Sequence, residues 1–162
     1  QMALTGMLRS AAMSGNGEEI IHSASAVLSD AKVDPELANE ALHYRAKALV
    51  EANQVQHAVK DWEELAKDTR NVYGAEAKYR LAQYLFDAGK TAEAEKEVLN
   101  YLEVSTPHAY WLARSFVLLS DIYAKLDRKL EARQYLLSLQ QNYQAADDIA
   151  GMIESRLAKL NE

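Results

Sequence analysis

The chain has 162 residues, 49% hydrophobic and 26% charged, a balance that suits one folded domain with a continuous core and excludes a disordered chain. The net charge of −6 argues against a nucleic acid or an anionic membrane surface as main partner, because both demand an excess of cations. The absence of cysteine excludes disulfides and thiolate metal sites, and only 6 Gly and 2 Pro interrupt a composition of good helix formers, so an all-α fold is expected.

The first expected helix pair, over about residues 1–34, is the least regular. Leu8 and Ile20 flank a Gly15-Asn16-Gly17 turn, and Ile20 precedes Ala58 of the next unit by one repeat length. The second pair, about 35–72, opens at Asp34-Pro35, a capping side chain before a proline in the first turn. It carries Ala41-Leu42-His43-Tyr44-Arg45-Ala46-Lys47-Ala48-Leu49 and then Asn53 to Ala58. The third, about 73–106, carries Ala77-Lys78-Tyr79-Arg80-Leu81-Ala82-Gln83-Tyr84-Leu85 and then Gly89 to Ala94. The fourth, about 107–144, opens at Thr106-Pro107 and carries Ser115-Phe116-Val117-Leu118-Leu119-Ser120-Asp121-Ile122-Tyr123, then Asp127 to Ala132. A lone helix over about 147–160 follows, capped by Asp147-Asp148, with Ile149, Met152, Ile153, Leu157 and Leu160 as its apolar stripe.

The last three pairs align without gaps. A small residue (Ala46, Ala82 or Ser120) is followed twelve positions later by Ala58, Ala94 or Ala132, and the step from unit to unit is nearly constant. Small side chains at both places let two helices joined by a short turn cross closely. Leu49, Leu85 and Tyr123, with Trp62, Val98 and Leu136 and then Leu65, Tyr101 and Leu139, fill the space beside each crossing. Pro35 and Pro107 stand two such steps apart, which supports the same period independently. No pair of this length buries its own apolar face, so neighbours must stack and a final helix must cover the last one.

These residues resemble the tetratricopeptide repeat family, most closely in the run from Ala77 through Gly89 to Ala94, and the likeness extends over nearly the whole chain. It implies a right-handed superhelical stack of antiparallel helix pairs, about four pairs plus a carboxy-terminal capping helix, forming one domain over 1–162. The departures are the longer units, Arg45 where the other units have Leu81 and Leu119, and the displaced family proline at the end of the second helix. In texture the sequence is also similar to tetratricopeptide arrays of bacterial envelope proteins, which implies a periplasmic or envelope setting. Beginning at Gln1 with no signal peptide, the chain reads as a piece of something longer.

The resemblance implies a protein-binding scaffold, not an enzyme, with a concave groove lined by the first helix of each pair. Aligned onto it, Arg9, His43, Lys47, Tyr79, Gln83, Phe86, Asp121 and Lys125 are the expected groove residues, a mixture of aromatic and polar groups suited to a peptide or partner helix. The family's chaperone-tail clamp falls on Thr5, Arg9, His43, Lys47, Tyr79 and Gln83 and lacks its paired asparagines, so chaperone-tail binding is not expected. Trp62, Tyr101, Phe116 and Tyr123 fall on core positions and are expected to pack.

No other grouping suggests chemistry. His22, His43, His57 and His108 show no ligand spacing, Gly15-Asn16-Gly17 precedes acids instead of the cations a phosphate loop needs, and no nucleophile has an activating context. Neither a cofactor nor a metal is expected. Two other roles stay open: an accessory domain of a larger enzyme or assembly, and an RNA-binding helical repeat, which the acidic balance disfavours. No apolar run is long enough to span a membrane, Ser115 to Ser120 being flanked by Arg114 and Asp121. Any self-association is expected at the amino-terminal pair, through Met2, Leu4, Met7 and Leu8.

Overall fold

The computed structural model describes residues 2–104 and 106–162, and these form nine α-helices and no strand. The chain divides between Ala77 and Lys78 into two compact units, with helix α5 (Val72–Asp87) running through the division. The first unit holds α1 (Met2–Ser14), α2 (Gly17–Leu28), α3 (Pro35–Glu51), α4 (Val55–Leu65) and the start of α5. The second holds the rest of α5, then α6 (Thr91–Glu103), α7 (Ala109–Lys125), α8 (Lys129–Asn142) and α9 (Ile149–Leu160). Four helix pairs and a ninth helix result, an α-solenoid arrangement in which α1 touches α2 and α3, and α9 touches both α8 and α7.

Each pair reverses direction through the same backbone device. Gly15, Asn53, Gly89 and Asp127 adopt positive φ, between 59° and 80°. In the last three pairs the following amide reaches back across the helix end, Gln54 N to Leu49 O, Lys90 N to Leu85 O and Arg128 N to Tyr123 O, at 2.8–2.9 Å. This is a Schellman closure, which satisfies carbonyls that a helix end would otherwise leave open. Glycine reaches that conformation without strain, and Asn and Asp tolerate it better than other residues.

Helix starts follow local chemistry. Asp34 accepts from Glu36 N at 3.1 Å ahead of Pro35, and Asn16 accepts from Glu19 N at 3.2 Å. At the fourth pair the start differs from expectation: α7 begins at Ala109, and Thr106 Oγ1 accepts from the amide of His108, so Pro107 lies before the helix and not in its first turn. For α9 it is Asp147, not Asp148, whose carboxylate accepts an amide, that of Ile149 at 2.9 Å.

The second unit's core joins Ala82 and Ala94 with Tyr79, Val98, Tyr101, Leu118, Leu119, Ile122, Tyr123 and Ala132. Ser120, buried at the fourth crossing, turns its hydroxyl inward onto Val117 O at 2.6 Å, so the small polar residue leaves no orphan. Ile149 and Ile153 of α9 bury against Ala113, Val117, Leu136 and Leu139, which makes the ninth helix part of the core of its unit. In the first unit Ala46 and Ala58 are fully buried and Trp62 nearly so.

The first pair solves its crossing differently from the sequence reading. Leu8 packs with Ala24 and Val27, while Ile20 packs with Ala11, so each helix supplies one large and one small residue in exchange. Leu8 is therefore fully buried and not part of the exposed amino-terminal surface, which is made by Met2, Met7 and Met13.

Burial also sets an alkaline limit on the second unit. The Tyr101 phenol, 1% exposed, is pushed up to about 12 by desolvation, with a hydrogen bond to Thr106 acting in the opposite sense. A raised folded-state value leaves stability intact below the ordinary phenol range near 10 and removes it as pH climbs toward 12. Chemical denaturation across that window is expected to show a loss of about 2–3 kcal/mol from Tyr101. Tyr101→Phe should lessen the slope by that share, while the raised phenols of Tyr123 and Tyr143 keep the remainder.

Candidate functional site

Each expected groove residue has a definite place within its own unit. In the first unit, Arg9 forms a forked pair with Glu40, 3.1 and 3.3 Å, with the Arg9 side chain 63% exposed. A pair so open to solvent contributes little to stability. His43 stacks on Tyr73 at 4.4 Å between ring centres and meets Tyr44 edge-on at 5.3 Å. Lys47 is exposed on α3.

In the second unit, Tyr79 is not a surface aromatic. Its ring is 4% exposed, lies 5.7 Å from the Trp111 ring and belongs to the core. Its hydroxyl sits within a chain of hydrogen bonds. Arg114 Nη2 donates to Tyr79 Oη at 3.0 Å, Tyr79 donates to Gln83 at 3.0 Å, and Gln83 donates to Asp87 at 2.8 Å. From its other nitrogen Arg114 donates to Tyr110 Oη at 3.0 Å, and Tyr110 donates to Asp148 at 2.9 Å. The guanidinium also lies 4.9 Å from the centre of the Tyr79 ring. A half-buried cation is thus held by aromatic faces and linked through two phenols to carboxylates at either end. Gln83 belongs to this chain, which ties α5 to α7 and to the start of α9.

Phe86, Asp121 and Lys125 come together elsewhere on the same unit, in a half-open cleft of about 720 Å³. Ala124, Leu136 and Leu160 give it an apolar floor beside Phe86, and Leu136 is fully buried. Asp121 takes a forked pair from Arg156 of α9, both bonds 3.3 Å, with the two side chains about one-third exposed. Lys129, Lys159 and Glu162 complete the rim.

The α9 contribution was not foreseen. The sequence marks α9 as a covering helix, and its apolar stripe does bury, but Arg156 and Lys159 sit beside that stripe and turn the cover into a wall. Their helical spacing from Leu160 was readable; the meeting of Arg156 with Asp121 of α7, 35 residues earlier, was not. Among the described residues no cluster of three or more His, Asp or Glu side chains is placed to hold a metal, and no buried side-chain nitrogen or oxygen lacks a partner. No helix among them is long and apolar enough to cross a membrane.

No family model matches the chain, and no curated protein matches it. Two solved structures do, both described as a putative kinesin light chain of Podosopora anserina with nearly identical TPR-like repeats. One, a single-substitution form, superposes with a TM-score of 0.68 at 15% identity, covering 98% of this chain and 84% of that one. The other gives 0.66 at 17% identity with the same coverage. The fold is therefore a TPR-like helical repeat. Nothing in these matches ties the chain to bacterial envelope arrays.

Proposed function

We propose that the chain is a protein-interaction module without catalytic activity of its own, and that the cleft of its second unit docks a peptide or helix from a partner. The observation that carries this reading is the cleft itself: an apolar floor at Phe86, Ala124 and Leu160, open to solvent and rimmed by charge. A concave apolar surface with polar edges is what an amphipathic segment fits. The TPR-like fold supports a scaffold role by analogy, because such folds serve as frames for grafted binding sites. Arg9, His43 and Lys47 remain candidates for a second contact on the first unit.

A peptide library displayed on phage and selected against the full chain tests the proposal. Peptides that bind the native chain should lose binding to Ala124→Trp, which fills the floor, and to Phe86→Ala, which removes its aromatic edge. Circular dichroism of both variants guards against misfolding. Selected peptides that bind the filled cleft as well as the native one, or an absence of any enriched peptide, would refute it.

A further inference from the structure

We infer that the cleft of the second unit, taken as the docking site proposed above, selects an acidic segment of a partner protein, one carrying apolar side chains flanked by carboxylates. The chain as a whole is acidic, with a net charge of −6. Its cleft inverts that balance: Lys125, Lys129, Arg156 and Lys159 face it against only Asp121 and Glu162. Arg156 and Asp121 satisfy each other. The three lysines form no ion pair among the described residues, and all three are exposed.

Helix electrostatics account for two of these lysines without a ligand. Lys125 and Lys159 lie in the last turns of α7 and α9, where a cation is favourable in any protein. Lys129 is different. It is the first residue of α8, the end at which the helix dipole disfavours a cation, and among the described residues no carboxylate pairs with it. Its ammonium stands at the rim of a concave apolar surface, where charge is more effective than on an open face because low-dielectric walls focus the field. A ligand offering carboxylates at both sides of an apolar anchor would pair Lys129 and Lys159 while burying its anchor against Phe86 and Leu160. A basic or neutral segment of the same shape would leave the lysines unpaired, and that difference supplies selectivity.

The test uses the full chain and three fluorescein-labelled peptides with the same leucines at one-turn spacing, flanked by glutamate, glutamine or lysine, read by fluorescence anisotropy. The glutamate peptide is expected to bind about tenfold more tightly than the glutamine one, with the lysine peptide weakest. Raising salt from about 50 mM to about 500 mM should erase most of that margin, as the screening length shrinks. Lys129→Gln combined with Lys159→Gln should bring the glutamate peptide down to the glutamine level and leave the glutamine peptide unchanged. Equal binding of the glutamate and glutamine peptides, with both lost in Ala124→Trp, would sink the acidic preference while leaving the docking site standing. Failure of all three peptides to bind would overturn both. A single-stranded RNA that displaces the glutamate peptide at matched charge would overturn the assignment to a protein segment.

Discussion

Asp61→Ala is expected to destabilise the first unit by about 3 kcal/mol, the low end for breaking a buried pair, measured by urea denaturation, because it leaves the Arg45 guanidinium, only one-quarter exposed, without its carboxylate. Asp61 is 5% exposed at its side chain and takes two bonds from Arg45, 2.7 and 2.9 Å, while the third guanidinium nitrogen reaches Ser25 Oγ at 3.2 Å. The forked pair joins α3 to α4, and the serine bond ties in α2. Arg45 occupies the position held by Leu81 and Leu119 in the following units. Arg45→Leu combined with Asp61→Leu is therefore expected to recover stability to within about 1 kcal/mol of the native chain, since a packed apolar pair of similar volume replaces a buried ion pair at little cost. A double variant as unstable as Asp61→Ala alone would show that the ion pair is required for the packing itself.

Gly74→Ala should cost about 3 kcal/mol, at the upper end for overpacking, because the added methyl has nowhere to go. A Cβ there would lie 1.9 Å from the carbonyl oxygen of Asp68 and 2.6 Å from that of Leu65. Both obstacles are backbone, so no side-chain rotation relieves them. Just before it, Asn71 holds the first turn of α5 by accepting from Tyr73 N at 2.8 Å and Gly74 N at 3.4 Å, which fixes the helix start against the segment leaving α4. The internal control is Gly151→Ala, within α9 with open space around it, where a gain of up to about 1 kcal/mol is expected. Equal effects at the two glycines would contradict the close approach at Gly74.

Much of the fold was legible because its signals are local. The small residues at the crossings, the turn residues Asn53, Gly89 and Asp127 and the stripe on α9 each follow from a period that a single chain displays. What escaped depends on contacts between distant segments. Tyr79 reads as a groove aromatic from its place on the first helix of its pair, but Trp111 and Arg114, on the first helix of the next pair, cover its ring and take its hydroxyl. Leu8 reads as the crossing residue of the first pair, yet Ala11 and Ala24 provide the small surfaces there, offset along each helix, and no alignment with the later units could show the exchange. The cleft was half visible: Phe86, Asp121 and Lys125 were named, whereas Lys129, Arg156 and Lys159 carry no local mark of a common destination.

The recurring turn has a further consequence for how such a chain can change over time. Because reversal is secured by main-chain atoms and one residue tolerant of positive φ, the reversal itself asks little of the identity of neighbouring side chains. Substitutions can then accumulate along the rods without redirecting them, provided the crossings stay narrow. The same geometry is therefore open to very different spellings, as the superposition at 15% identity illustrates.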